Sequence, residues 1–294
     1  MPKAKINGIN INYEVHGHGE ETLVLIIGGI APQRVWIFQT CEFKKHYRVI
    51  TFDNRGFGGS DKPGGCGAYT MKIMADDVVG LMNHLDIEKA HVLGQSLGGM
   101  IAQVLAINYP CRINKLILAS TFAGRNIPPD LLEALGYEKG DEPSGIAQEF
   151  SKAMGYPKGF TDEDARREPM LKIVLTLTSC AFNTRPFRIA FRIAGKLIKL
   201  CVKFYYQFFM ETTGLPGQEE ALLAHNTLKD LPKIQVPTLV ITGDNDRIIN
   251  PSSSDMIAKL IPHATLVKVK DGSHAFFVEK RGEFNKIVLD FLRA

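Results

Sequence analysis

Residues 91–103 read HVLGQSLGGMIAQ, an apolar run that stops at a lone serine set among glycines. Gly94 lies two residues before Ser96, Gly98 lies two after it, and Gly99 follows. The flanks explain the pattern. HVLGQ has the apolar character of a strand buried on both faces, and LGGMIAQVLAINYP has helical period. A strand that passes directly into a helix forces a strained conformation on the residue at the turn. Its neighbours two positions away must be nearly free of side chain so that strand and helix can approach. The serine hydroxyl then stands at the carboxyl edge of the sheet, at the N-terminus of a helix whose free N–H groups favour negative charge. A turn of this cost suits a position whose hydroxyl is used.

Working outward, short apolar runs alternate with helical patterns. INYEVHG, TLVLIIGG, YRVITFDNRG, HVLGQ and NKLILAST read as strands, with TMKIMADDVVGLMNHL and LGGMIAQVLAINYP as helices among them. This alternation predicts right-handed crossovers and a mostly parallel sheet, an α/β fold. The rhythm breaks from about residue 124 to 231, where the composition is helical and interrupted by prolines. It resumes with VPTLVITGD, a helix over about 252–260, ATLVKVKDGSH and a final amphipathic helix EFNKIVLDFL. The organisation expected is one α/β core, residues 1–123 and 232–294, carrying a helical cap insertion over 124–231.

The 294 residues are 45% hydrophobic, enough for a large core. A net charge of +4 is too small and diffuse to argue for nucleic acid. Five cysteines with no CxxC spacing read as reduced structural thiols rather than a disulfide framework or zinc site. MPKAKINGINI lacks a signal-peptide core, and no apolar stretch approaches the roughly 18 residues of a membrane span. The expected location is cytoplasmic. Neither a metal nor an organic cofactor is implied.

A serine hydroxyl is a weak nucleophile near neutral pH and needs a base, itself oriented by a carboxylate. Of eight histidines, His274 is the best placed, in KDGSHAFF directly after a strand-like run and so at the same sheet edge as Ser96. His263 precedes that run and falls on the opposite edge. The acid is sought after another strand, where TLVITGDNDRIINP offers Asp244 and Asp246. Asp246 lies further into the loop and can turn toward His274, whereas Asp244 is placed to cap the turn. NKLILAST is followed by no carboxylate. An oxyanion hole needs two backbone donors. Leu97, after the serine, supplies one, and Ile30, after Gly28 and Gly29, is expected to supply the other.

These residues resemble the α/β-hydrolase family over about residues 5–123 and 232–294. The resemblance is carried by GGI (28–30), DNRGFGGSDKP (53–63), GQSLGG (94–99), GDNDRIINP (243–251) and GSHAFF (272–277), in family order. It implies an eight-stranded, mostly parallel sheet with a helical cap over the active site. It also implies Ser96 as nucleophile, Asp246 as acid and His274 as base. Many members carry His-Gly before the oxyanion residue, where this chain has Gly28-Gly29. Members include esterases, lactonases, C–C bond hydrolases and cofactor-free haloperoxidase-like enzymes. Haloalkane dehalogenases look similar but use an aspartate nucleophile, which Ser96 argues against. The expected function is a serine hydrolase acting on a small-molecule carboxylic ester or lactone with an apolar moiety. C–C bond hydrolysis or perhydrolysis on the same fold is the alternative, and a non-catalytic hydrolase-like binding protein is the reading from another class. In DNRGFGGSDKP, Asp53 and Arg55 are read as a pair that holds the turn.

Residues 185–210, RPFRIAFRIAGKLIKLCVKFYYQFFM, place Arg185, Arg188, Arg192, Lys196, Lys199 and Lys203 at spacings of three and four, one face of a helix. No acidic residue interrupts them. A lid helix with its apolar side on the active site and its basic side in water explains this. The sharper expectation is weak contact of the basic face with an anionic surface.

Overall fold

The computed structural model describes residues 1–29, 31–64, 67–124, 127, 129–136 and 214–294. Ile30, the basic segment 185–210 and most of the expected cap lie outside them. So do Cys66, Cys180 and Cys201.

Eight strands follow one another as β1 (Lys3–Ile6), β2 (Ile9–His16), β3 (Thr22–Ile26), β4 (Arg48–Phe52), β5 (Ala90–Gln95), β6 (Ile113–Ala119), β7 (Thr238–Gly243) and β8 (Ala264–Val269). The helices are α1 (Ile37–Phe43), α2 (Met71–His84), α3 (Leu97–Asn108), α4 (Pro129–Ala134), α5 (Leu215–Ala224), α6 (Ser252–Leu260), α7 (Phe276–Glu279) and α8 (Arg281–Arg293). The strands form one sheet in the order β1-β2-β4-β3-β5-β6-β7-β8. From β4 to β8 every pairing is parallel, and β2 alone runs against its neighbours. This is the mostly parallel α/β sheet expected from the alternation. β1 was not among the strands expected. Its KAKI sequence is short and charged, and it survives because Ala4 and Ile6 turn inward while Lys3 and Lys5 face water on the sheet edge.

Alternation along the strands builds a core on each face. Val24 and Ile26 of β3 belong to one buried cluster with Met74, Val78 and Leu81 of α2, Met100 and Ile101 of α3 and Met256 and Ile257 of α6. Leu23 and Leu25 pack with Phe43 of α1 and Phe284, Val288 and Leu292 of α8. A strand covered on both faces must be apolar throughout, which is why TLVLI is a continuous run. Thr70 caps α2, its hydroxyl accepting from the Ile73 N–H at 3.0 Å.

The loop after β4 holds differently from the pairing read in the sequence. Arg55 pairs with Asp77 of α2, not with Asp53. Its Nε and Nη2 donate to the two carboxylate oxygens at 2.6 and 2.7 Å, and both side chains are buried. Asp53 instead accepts from the Gln33 N–H, the Asn12 side-chain amide and the Gly59 N–H at 2.7–2.8 Å. It joins three segments through neutral donors, so it has no need of a cation. Cys41 and Cys111 are free thiols, and both are exposed. Among the described residues no helix is long and apolar enough to cross a membrane.

The chain that leaves α5 is bonded to the loop after β6 and to α3. Thr227 N–H donates to the Ala123 carbonyl at 2.6 Å, and the Thr227 hydroxyl donates to Gln103 Oε1 at 2.6 Å. Beside them His225 stands edge-on to Phe122, and burial lowers its imidazole to about 4. The folded chain therefore holds His225 neutral while an unfolded chain takes up a proton below its ordinary 6.5. Stability is full above that value and falls with pH toward about 4, by as much as about 3 kcal/mol for this group. His91 is lowered in the same direction, again by burial, so the parent must be compared with His225→Gln. Urea unfolding from pH 7 to pH 4 is expected to show a flatter decline in the variant. Equal slopes in the two proteins exclude this role for His225.

Candidate active site

The turn from β5 to α3 is built as its glycines require. Ser96 has φ 54° and ψ −120°, a region that non-glycine residues rarely adopt. A Cβ at Gly94 would strike the Gly98 carbonyl, and one at Gly98 would strike the Ile26 carbonyl. The strain is held in place by the backbone of Ser96. Its N–H donates to Ala119 O at 2.9 Å, and its carbonyl accepts from Gly99 N–H and the Thr121 hydroxyl at 2.9 and 2.8 Å. Its hydroxyl caps no helical N–H, and the residue is partly exposed. Gly98→Ala is expected to destabilise the fold by about 1–3 kcal/mol, because the methyl meets backbone that cannot turn aside. A melting temperature equal to the parent's would show that β3 has room to move.

His274 and Asp246 come together across the ends of β7 and β8. His274 Nδ1 and Asp246 Oδ2 are 2.8 Å apart, and the Asp246 side chain is fully buried. The other carboxylate oxygen accepts from the Ile248 and Ile249 N–H groups at 2.8 and 3.0 Å. Both oxygens of the carboxylate are thus occupied, and its orientation is fixed. Asp244 is exposed and its backbone N–H bonds to Val269, so the loop presents Asp246 and not Asp244. His263 is exposed at the start of β8, on the opposite edge.

The Gly28–Gly29 loop after β3 lies against the turn. A Cβ at Gly28 would come within 3.2 Å of Ser96 Cβ, and one at Gly29 within 3.6 Å of the Leu97 side chain. Leu97 opens α3, and its N–H has no acceptor within the helix. Ile30, the other expected donor, lies outside the described residues.

Two glutamines were missed in the sequence. Gln95 is buried, and its Nε2 lies 3.2 Å from His274 Nε2. No hydrogen bond joins Ser96 to His274 among the described residues. Gln218 of α5 donates to Arg55 O at 2.7 Å, which brings α5 against the DNRGFGGSDKP loop. Gln95 sits inside the GQSLGG motif, but nothing in that motif says where an amide of its length will point. Gln218 lies within the segment expected as the cap and carries no signal of its own.

The arrangement places a strained serine, an imidazole–carboxylate pair and a free helix N-terminus on one sheet edge. Such a set suits nucleophilic attack on a carbonyl with a developing oxyanion. The pattern of the family described as alpha/beta hydrolase fold matches residues 21–281. A 3-oxoadipate enol-lactonase of Acinetobacter baylyi is 27% identical over 95% of this chain and 92% of its own. A proline iminopeptidase of Pestalotiopsis fici is 29% identical over 99% of this chain and 97% of its own. Among solved structures, the enol-lactonase of Burkholderia xenovorans superposes with a TM-score of 0.76 at 28% identity, over the full length of both chains. The chain belongs to the α/β-hydrolase fold family.

Proposed function

We propose that the protein is a serine hydrolase that cleaves a small carboxylic ester or lactone through an acyl-enzyme on Ser96. The observation that carries this is the buried Asp246–His274 pair at 2.8 Å, on the same sheet edge as the strained Ser96. As the Ser96 Oγ–H bond breaks, its proton passes to His274 Nε2 and Oγ bonds to the carbonyl carbon. The Leu97 N–H donates to the oxyanion, and a donor from residue 30 is the expected second. The C–O bond to the leaving group then breaks, and the alkoxide takes the proton from His274. In a lactone that alcohol stays tethered to the acyl group. Water, losing a proton to His274, repeats the sequence and releases the acid. The enol-lactonases among the relatives favour the lactone form.

The test is a panel of p-nitrophenyl esters from acetate to palmitate together with simple lactones, joined to mass-spectrometric mapping of a fluorophosphonate adduct. Turnover on the panel and an adduct on Ser96 are expected. An adduct absent from Ser96 sinks the proposal. An adduct on Ser96 without turnover of any ester or lactone refutes the substrate class and leaves the nucleophile.

A further inference from the structure

We infer that Gln95 is a positioning residue for His274, holding the unloaded site with its amide N–H on the lone pair that the base must use. The inference rests on the proposed function and deepens it. Asp246 is a carboxylate and can only accept from His274 Nδ1. Neutral His274 therefore carries its proton on Nδ1 and presents Nε2 as an acceptor. Only a donor can meet that atom, and the group at 3.2 Å is the Gln95 side-chain amide. Gln95 Nε2 also lies 3.5 Å from the His274 carbonyl, a second acceptor that keeps the amide nitrogen on this side. The amide is also walled in. A Cβ at Gly28 would collide with Gln95 Oε1, so the absence of a side chain at residue 28 is what lets the amide fill that place.

The consequence concerns protonation of the base. An N–H donated to Nε2 stabilises neutral imidazole and opposes the imidazolium. The other groups facing His274 do not replace it. Asp246 is the charged group in contact with the ring among the described residues. Glu279, from α7, is turned to Ser273, whose hydroxyl donates to it at 2.7 Å. Asp244 and Arg247 of the β7 loop are exposed. Gly28, Gly29 and Ser96 bring no charge. For catalysis the Ser96 hydroxyl must take the position on Nε2 that Gln95 holds, so Gln95 sets both the pH range of the free enzyme and the readiness of the base.

The measurement is the rate of fluorophosphonate inactivation as a function of pH, which needs no knowledge of the natural substrate. The Ser96 Oγ–P bond forms, P–F breaks and the serine proton goes to His274. Gln95→Met keeps the length and removes the donor. Its half-maximal pH is expected to rise by about half a unit or more, and that of Gln95→Glu by about one unit or more. A general loss of polarity around the ring would move the Met variant downward instead. A Met variant whose midpoint stays or falls overturns the inference, whatever the Glu variant does. If the Met variant does not fold, the Glu variant decides: a rise supports the inference and an unchanged midpoint ends it. Failure of Ser96 to react in the parent overturns the proposed function itself, which keeps the two failures apart.

Discussion

Ser96→Ala and His274→Ala are each expected to lower kcat by about 10⁶-fold, and Asp246→Asn by about 10⁴-fold. The first two remove the nucleophile and the base of a unit that works only when complete. The Ser96→Ala/His274→Ala double variant is therefore expected to be no worse than either single one. Asp246→Asn acts more subtly. The Ile248 and Ile249 N–H groups donate to one carboxylate oxygen, so the asparagine oxygen stays with them and the amide NH₂ turns to His274. A donor facing Nδ1 drives the imidazole proton to Nε2, which then cannot accept from Ser96. The fold should be unmoved, because the asparagine fills the same space and keeps all three partners, the bond to His274 reversed in direction. Steady-state kinetics on the substrate found by the ester and lactone panel check all three variants. Turnover within tenfold of the parent in Ser96→Ala would dismiss the nucleophile. Additive losses in the double variant would show that the two residues do not act as one unit.

The reach of the sequence stops where contacts become long-range and directional. The strand-turn-helix around Ser96 was legible because part of its cause is local: residue 94 must be glycine if strand and helix are to meet, while Gly98 answers to the backbone of β3. His274 and Asp246 were legible because each follows a strand of the parallel sheet, and such strands end at one edge. Their pairing needed only the topology. The partner of Arg55 was not legible. Asp53 is two residues away and Asp77 is on α2, and only the packing of α2 beside the loop decides for the second. Gln95 shows the same limit within a motif. Its neighbours fix the backbone, but the direction of its amide depends on the loop at Gly28 and on a histidine 179 residues later. β1 was missed for another reason. A four-residue edge strand with two lysines has too little apolar character to stand out from a tail.

Asp77→Ala is expected to cost about 3–5 kcal/mol of folding free energy. The gain from a buried ion pair is small when both partners are present, because each charge loses its hydration. The loss when one partner goes is large, because the other charge remains buried without compensation. Arg55 and Asp77 are each only a few percent exposed, and their two hydrogen bonds are parallel and short. Arg55 Nη1 also donates to Ala68 O at 2.8 Å, and Asn7 donates to Asp77 at 3.0 Å, so the pair ties β1, α2 and the β4 loop together. Without Asp77 the guanidinium must find water by opening the loop that carries Gly56. That loop is bonded to α5 and the residue before it, through Gly214 N–H to Gly56 O at 2.7 Å and through Gln218. The damage should therefore reach the candidate site as well as the global stability. Urea unfolding gives the first quantity, and the rate of Ser96 labelling under native conditions gives the second. The replacement of both residues, Arg55→Met with Asp77→Leu, is expected to recover much of the stability, since no charge is left buried. If the double variant is no more stable than Asp77→Ala, the stabilisation lies in the hydrogen bonds to Ala68 and Asn7 and not in the avoidance of a lone buried charge.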